Sequence, residues 1–193
     1  EDESHPIDER AQALFFLAQV YEVFADECSR EPCGPRVSHQ MTAMALYQRY
    51  AQVASISSGA SYDPIKAAYA RFRRLNIAEQ AKFFYPAELV ERLRPLAAHR
   101  IPEIYYMLAA NTMLAGDVRR GLYLAEAAAE VAREVAIKPL HVPTDSRMEW
   151  LSLRVAAECA RMLDRKDKMR RLAKRALVAG GPEEKFKNFL ELP

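Results

Sequence analysis

A chain that does chemistry must gather an acid, a base, a nucleophile or a set of metal ligands in one place. Four histidines, His5, His39, His99 and His141, stand far apart, each in or beside an expected loop or helix end. None forms a helical pair with metal-ligand spacing, and His99 near a helix C-terminus serves the dipole there. Glu126 shares a helix face with Glu130, and Glu130 with Glu134, but Arg133 adjoins them. A di-metal carboxylate bundle would need Glu-x-x-His pairs, and the sequence has none. The patterns GxSxG, HExxH, GxGxxG and GxxxxGK are also missing. The expectation is a protein with no catalytic residue, no metal and no cofactor.

Three cysteines remain. Cys159 lies among Val155, Ala156 and Met162 and reads as a small buried hydrophobe. Cys28 and Cys33 enclose Ser-Arg-Glu-Pro beside Gly34-Pro35, in a loop that could bring two sulfurs together. A disulfide there would imply an oxidising compartment. Two thiols fit the same residues. Zinc fits poorly, because no second Cys pair or HxxxH lies nearby.

Charge gives a second kind of site. The net charge is only +2, but residues 1–31 hold nine acids and two bases, and residues 161–178 hold eight bases and two acids. Arg165, Lys168, Arg171 and Arg175 recur at helical steps and make one helix face cationic, with Arg161 extending it across a turn. RNA, an acidic lipid surface or an acidic protein segment could pair with that face. Few aromatics interleave with it, so base stacking is poorly supported. The acidic N-terminus of another copy fits as well, which keeps a homo-oligomer open.

The elements that must carry these residues read as helices. Half of the 193 residues are hydrophobic, only six are glycine, and Ala, Leu, Arg and Glu abound, a helix-forming composition. Length predicts one domain over 1–193, with an acidic mobile tail at 1–6 and an internal linker at 57–62. No run reaches the roughly 20 apolar residues of a membrane span. A first helix from Asp8 to Cys28 should bury Leu14, Leu17, Val20, Tyr21 and Phe24. A second, Ser38–Ile56, should form an antiparallel hairpin with it. Asp63-Pro64 starts a third, Ile77–Phe84 is a short helix, and Tyr85-Pro86 opens another to Ala98. Pro102 starts a helix that Gly116 ends, and Asp117 caps the next. Residues 138–143 are extended. Helices then run over 146–163 and 168–179, and Gly180-Gly181-Pro182 stops the last one. Phe186, Phe189 and Leu190 form the docking face of a final short turn.

The hairpins repeat. Ala109 lies 12 residues before Gly121, as Ala157 does before Met169, and Ala125 and Ala128 correspond to Ala173 and Ala176 at an offset of 48. Tyr105, Leu108, Ala109, Gly116, Gly121 and Ala128 follow the large–small pattern of tetratricopeptide repeats, so residues 101–179 resemble that family. The second hairpin departs from it, with no glycine in its turn and Met169 in a small position. The offset also exceeds the roughly 34 residues of that repeat. The resemblance implies an all-α fold of antiparallel hairpins stacked as a short solenoid; an irregular helical bundle is the alternative.

It also implies a groove lined by the first helix of each hairpin. On this sequence the groove positions are Glu103, Tyr106, Ala110 and Met113, then Leu151, Arg154, Glu158 and Arg161. Tyr106 and Met113 read equally well as core. Met107 stands where chaperone-binding members of the family want an asparagine, so a chaperone's C-terminal peptide is not the expected ligand. The function expected is a non-enzymatic scaffold or adaptor in a multi-subunit assembly, binding a protein segment; anion binding by the basic hairpin is the alternative. The start at Glu1 and the early cysteine pair fit an exported, periplasmic or membrane-tethered soluble domain, with the cytoplasm as the alternative.

Overall fold

Asp63-Pro64 shows how closely local chemistry is followed. The Asp63 carboxylate accepts from the backbone N–H of Ile65 at 2.9 Å and of Lys66 at 3.2 Å. Two N–H groups that the first turn leaves orphaned are thereby satisfied. The computed structural model describes residues 7–28, 34–56, 63–80 and 83–191. The acidic tail at 1–6, the linker at 57–62 and Cys33 lie outside the described residues. Among the described residues every regular element is helical: α1 (Ile7–Glu27), α2 (Gly34–Ile56), α3 (Pro64–Gln80), α4 (Pro86–Leu93), α5 (Pro102–Leu114), α6 (Val118–Ile137), α7 (Met148–Met162), α8 (Lys166–Val178) and α9 (Lys187–Leu190). None of them is long and apolar enough to cross a membrane.

The chain groups into two compact units, residues 1–83 and 84–193, each with an apolar core of its own. In the first, Phe15 of α1 meets Tyr47 and Tyr50 of α2 and Tyr69 of α3, with ring centroids 5.1 to 5.9 Å apart. Tyr21 and Phe24 lie against His39, so α1 and α2 run antiparallel. The face that α1 buries differs from expectation: Phe15, Ala18 and Ala25 point inward, whereas Leu17 and Phe24 are exposed. Glu22 explains the rotation. Its carboxylate accepts from the Tyr47 hydroxyl at 2.7 Å and from Arg73 Nε at 2.8 Å, drawing a charged position into the interface.

In the second unit, consecutive helices pack as pairs. The expected helix to Ala98 is shorter. Pro95 has no N–H to donate back along an α-helix, and the chain tightens into a 3-10 turn over Arg94–His99. Ile77–Ala78 belong to α3 and are buried there, so no separate helix follows from Ile77 to Gln80. Three helix ends share one closure. After α5, Gly116 N donates to Met113 O and Asp117 N to Thr112 O; after α7, Asp164 N donates to Arg161 O and Arg165 N to Ala160 O; after α8, Gly180 N donates to Leu177 O and Gly181 N to Ala176 O. This is the Schellman pattern, which needs a left-handed residue, supplied by Gly116 (φ 96°), Asp164 (φ 53°) and Gly180 (φ 86°). Asp164 thus holds the place of the turn glycine that the second hairpin lacks.

The missing side chain of Gly121 lets α6 approach α5. A Cβ on Gly121 would lie 3.1 Å from the backbone N of Met113, so Gly121 faces Met113, one turn beyond Ala109. The core continues through Leu122, Ala125, Ala129, Trp150, Leu153, Ala157, Cys159, Met169, Ala173 and Phe186.

Candidate functional site

The α7 sequence divides cleanly around the helix. Met148, Trp150, Ser152, Leu153, Ala156, Ala157, Cys159 and Ala160 are buried. On the opposite side Arg154, Glu158 and Arg161, at steps of four and three, form one polar stripe. Arg154 and Arg161 are exposed and Glu158 is half-buried.

A second wall comes from the C-terminal segment, folded back by the Gly180–Pro182 turn. A Cβ on Gly181 would lie 2.7 Å from the Phe186 ring and 2.8 Å from the Ala176 carbonyl oxygen, so only glycine fits there. The 3-10 turn Glu183–Lys185 follows and carries Phe186 into the core, 6.4 Å from Trp150. Lys185 Nζ sits 5.6 Å from the centre of the Trp150 ring, a cation–π contact. Between the α7 stripe and this segment lies an open cleft of about 500 Å³, with Arg154, Glu158 and Arg161 on one side and Lys185, Asn188, Phe189 and Glu191 on the other.

The charges in the cleft are not equivalent. Arg161 donates to both Glu158 oxygens, from Nε at 3.0 Å and from Nη2 at 2.5 Å. Those bonds hold the Glu158 carboxyl below its usual range, and Arg154 nearby acts in the same direction. The Arg161 guanidinium is raised by the same partner. Arg154 itself makes no contact ion pair among the described residues. It is therefore a cation able to receive an incoming carboxylate, beside Phe189, of which only 8% is exposed.

The α5 half of the expected groove has another role. Glu103 is buried and accepts from the Asp145 backbone N–H at 2.6 Å, so it holds the connection that leads into α7. Tyr106 and Ala110 are half-buried, and Leu151 on α7 is too. Met113 packs against the core, over Gly121. Arg154, Glu158 and Arg161 come together; Glu103 and Met113 are drawn inward by the helix connection and by the missing side chain of Gly121.

The basic face of α8 is likewise divided. Lys168 pairs with Glu126 of α6 at 2.8 Å and Arg175 with Glu130 at 2.9 Å. Arg165 and Arg171 have no ion pair among the described residues and line a shallow depression with Lys168. Two of the four cations thus tie α8 to α6 by side-chain ion pairs, and the Glu126–Glu130 face is what they neutralise.

Cys159 is fully buried, and burial, aided by the Glu158 charge, pushes its thiol up to about 11. It is unsuited to nucleophilic chemistry near neutral pH. Cys28 is half-buried at the end of α1, and its suggested bond to Cys33 lies outside the described residues. Among the described residues no three His, Cys, Asp or Glu side chains gather as metal ligands.

Phe189 was legible as part of a docking face, but Lys185, Asn188 and Glu191 were not. Their nearness to α7 depends on the Gly181 turn, which the sequence marks only as a stop. No protein-family model matches the chain, and comparison with curated proteins and with solved structures finds no match.

Proposed function

We propose that this chain is a non-enzymatic protein-interaction module, an adaptor that seats a partner segment in the cleft along α7. The observation that carries this reading is the exposed Arg154 in the cleft, which has no contact ion pair among the described residues. A segment carrying a carboxylate would meet Arg154 through a charge-assisted hydrogen bond. The equivalent turns at Gly116 and Asp164, 48 residues apart, support reading α5–α8 as two stacked units resembling tetratricopeptide repeats. Such hairpins bury one face on each other and keep another for partners.

Anion binding by α8 is the weaker reading, because Lys168 and Arg175 already have carboxylate partners. Affinity capture from cells that make the protein distinguishes the two. Arg154→Glu should remove a discrete partner that wild type and Arg119→Glu both recover. Equal recovery by Arg154→Glu would overturn the cleft assignment. Loss of the partner only on reversing Arg165 and Arg171 would favour anion binding instead.

A further inference from the structure

Phe189 is the one apolar side chain lining the α7 cleft, and only 8% of it is exposed. The cleft therefore offers a partner charge and hydrogen bonding rather than apolar surface. Its charges differ in whether they are already answered. Glu158 and Arg161 answer each other through two hydrogen bonds. Arg154 on one wall and Lys185 on the other have no contact ion pair among the described residues. Glu191 is the remaining carboxylate of the lining, so two open cations stand against one open anion. Glu183, Glu184 and Lys187 are exposed on the same segment and lie outside the lining.

Lys185 is held in place before any ligand arrives. The residue after it, Phe186, is fully buried, which anchors the backbone beside it. Lys185 Nζ rests 5.6 Å from the centre of the Trp150 ring. That contact uses the ring face and leaves ammonium N–H groups for an acceptor. Trp150 stands one turn before Arg154 on α7, so the two cations border the same stretch of that wall. A cation ordered in advance loses less side-chain entropy on binding.

We propose that Lys185 is the second anion-receiving residue of the cleft, and that the partner segment is acidic, presenting two carboxylates at alternate positions of an extended stretch. Side chains so placed point the same way about 7 Å apart. One carboxylate meets Arg154 and the other Lys185, each by a charge-assisted hydrogen bond. This rests on the reading of the α7 cleft as the partner's seat and names the chemistry of the partner.

The test uses two short fluorescein-labelled peptides, titrated against the full chain by fluorescence anisotropy. One has glutamate at two alternate positions; the other has glutamine in place of the second glutamate. The two-glutamate peptide should bind at least about tenfold more tightly. Lys185→Gln should bring it to the level of the other peptide, Lys185→Arg should keep most of the difference, and Arg154→Gln should weaken both. Both residues are exposed, so every variant should keep the wild-type circular dichroism. Equal binding of the two peptides, with Arg154 still required, would overturn this inference and leave the cleft standing. Binding of neither, or binding indifferent to Arg154, would overturn both. A preference for two glutamates that survives Lys185→Gln would remove Lys185 from the site. A single-stranded RNA that displaces the two-glutamate peptide and binds more tightly would make the partner a nucleic acid and overturn the acidic segment.

Discussion

The hydroxyl of Tyr47, a side chain with no exposed surface, donates across 2.7 Å to the carboxylate of Glu22 on the neighbouring helix. Arg73 closes the group from α3, its guanidinium 2.6 Å from the other Glu22 oxygen and 5.9 Å from the centre of the Tyr69 ring. One carboxylate thereby joins the three helices of the first unit. Removing it strands a largely buried guanidinium and a buried hydroxyl, so Glu22→Ala should cost about 3 kcal/mol. Tyr47→Phe, which removes one bond and keeps the ring, should cost about 1 kcal/mol. Denaturant unfolding followed by circular dichroism reads both, and a double-mutant cycle should show the two effects coupled.

The two equivalent hairpin turns should respond in opposite directions. Gly116 at φ 96° and Asp164 at φ 53° meet the same left-handed requirement, which side chains disfavour. Gly116→Ala should lower stability by about 1 kcal/mol. Asp164→Gly should raise it by about 0.5 kcal/mol. Thermal unfolding of both variants provides the comparison.

Cys159 predicts a loss of stability in alkali. Its thiol is held at about 11 in the fold, above its ordinary 9.0. Below pH 9 the thiol is neutral folded or unfolded, and its contribution is complete. Between pH 9 and 11 only the unfolded chain ionises there, so the contribution falls by about 2 kcal/mol. The buried Tyr47 phenol, raised by burial and by Glu22, adds a loss that begins higher, above the ordinary tyrosine value. Cys159→Ala should flatten the pH 9–11 part of the stability curve and leave the tyrosine part. In a chain with Cys28 and Cys33 replaced by serine, a thiol reagent should react with Cys159 only on unfolding.

Gly181 controls the wall of the cleft. A methyl group there meets both the Phe186 ring and a backbone oxygen, and the end of a side chain yields more readily than the backbone. Gly181→Ala should therefore shift Phe186 away from Trp150, the only tryptophan in the chain. The fluorescence maximum should move to longer wavelength as water reaches the indole. An unchanged spectrum would mean that the backbone yields instead.

Much of the helical layout was legible because its signals are local. Asp63-Pro64, Gly116-Asp117 and Gly180-Gly181-Pro182 each act through chemistry within a few residues. The face that α1 buries was not legible, since Glu22 lies 25 residues from Tyr47 and 51 from Arg73. A charged residue surrounded by apolar ones reads as solvent-facing until its partners are known. The same limit divided the groove. Arg154, Glu158 and Arg161 lie on one helix, and periodicity found them. Glu103 was assigned outward because nothing local to it announces the Asp145 N–H, 42 residues away.

The α7 cleft is tested most directly by placing a photo-crosslinking amino acid at position 154 of the full chain and irradiating cells that make it. The proposed function predicts a discrete protein adduct from position 154, and none from Arg119, an equally exposed arginine position on α6. No adduct from position 154, or the same adducts from both positions, would contradict it.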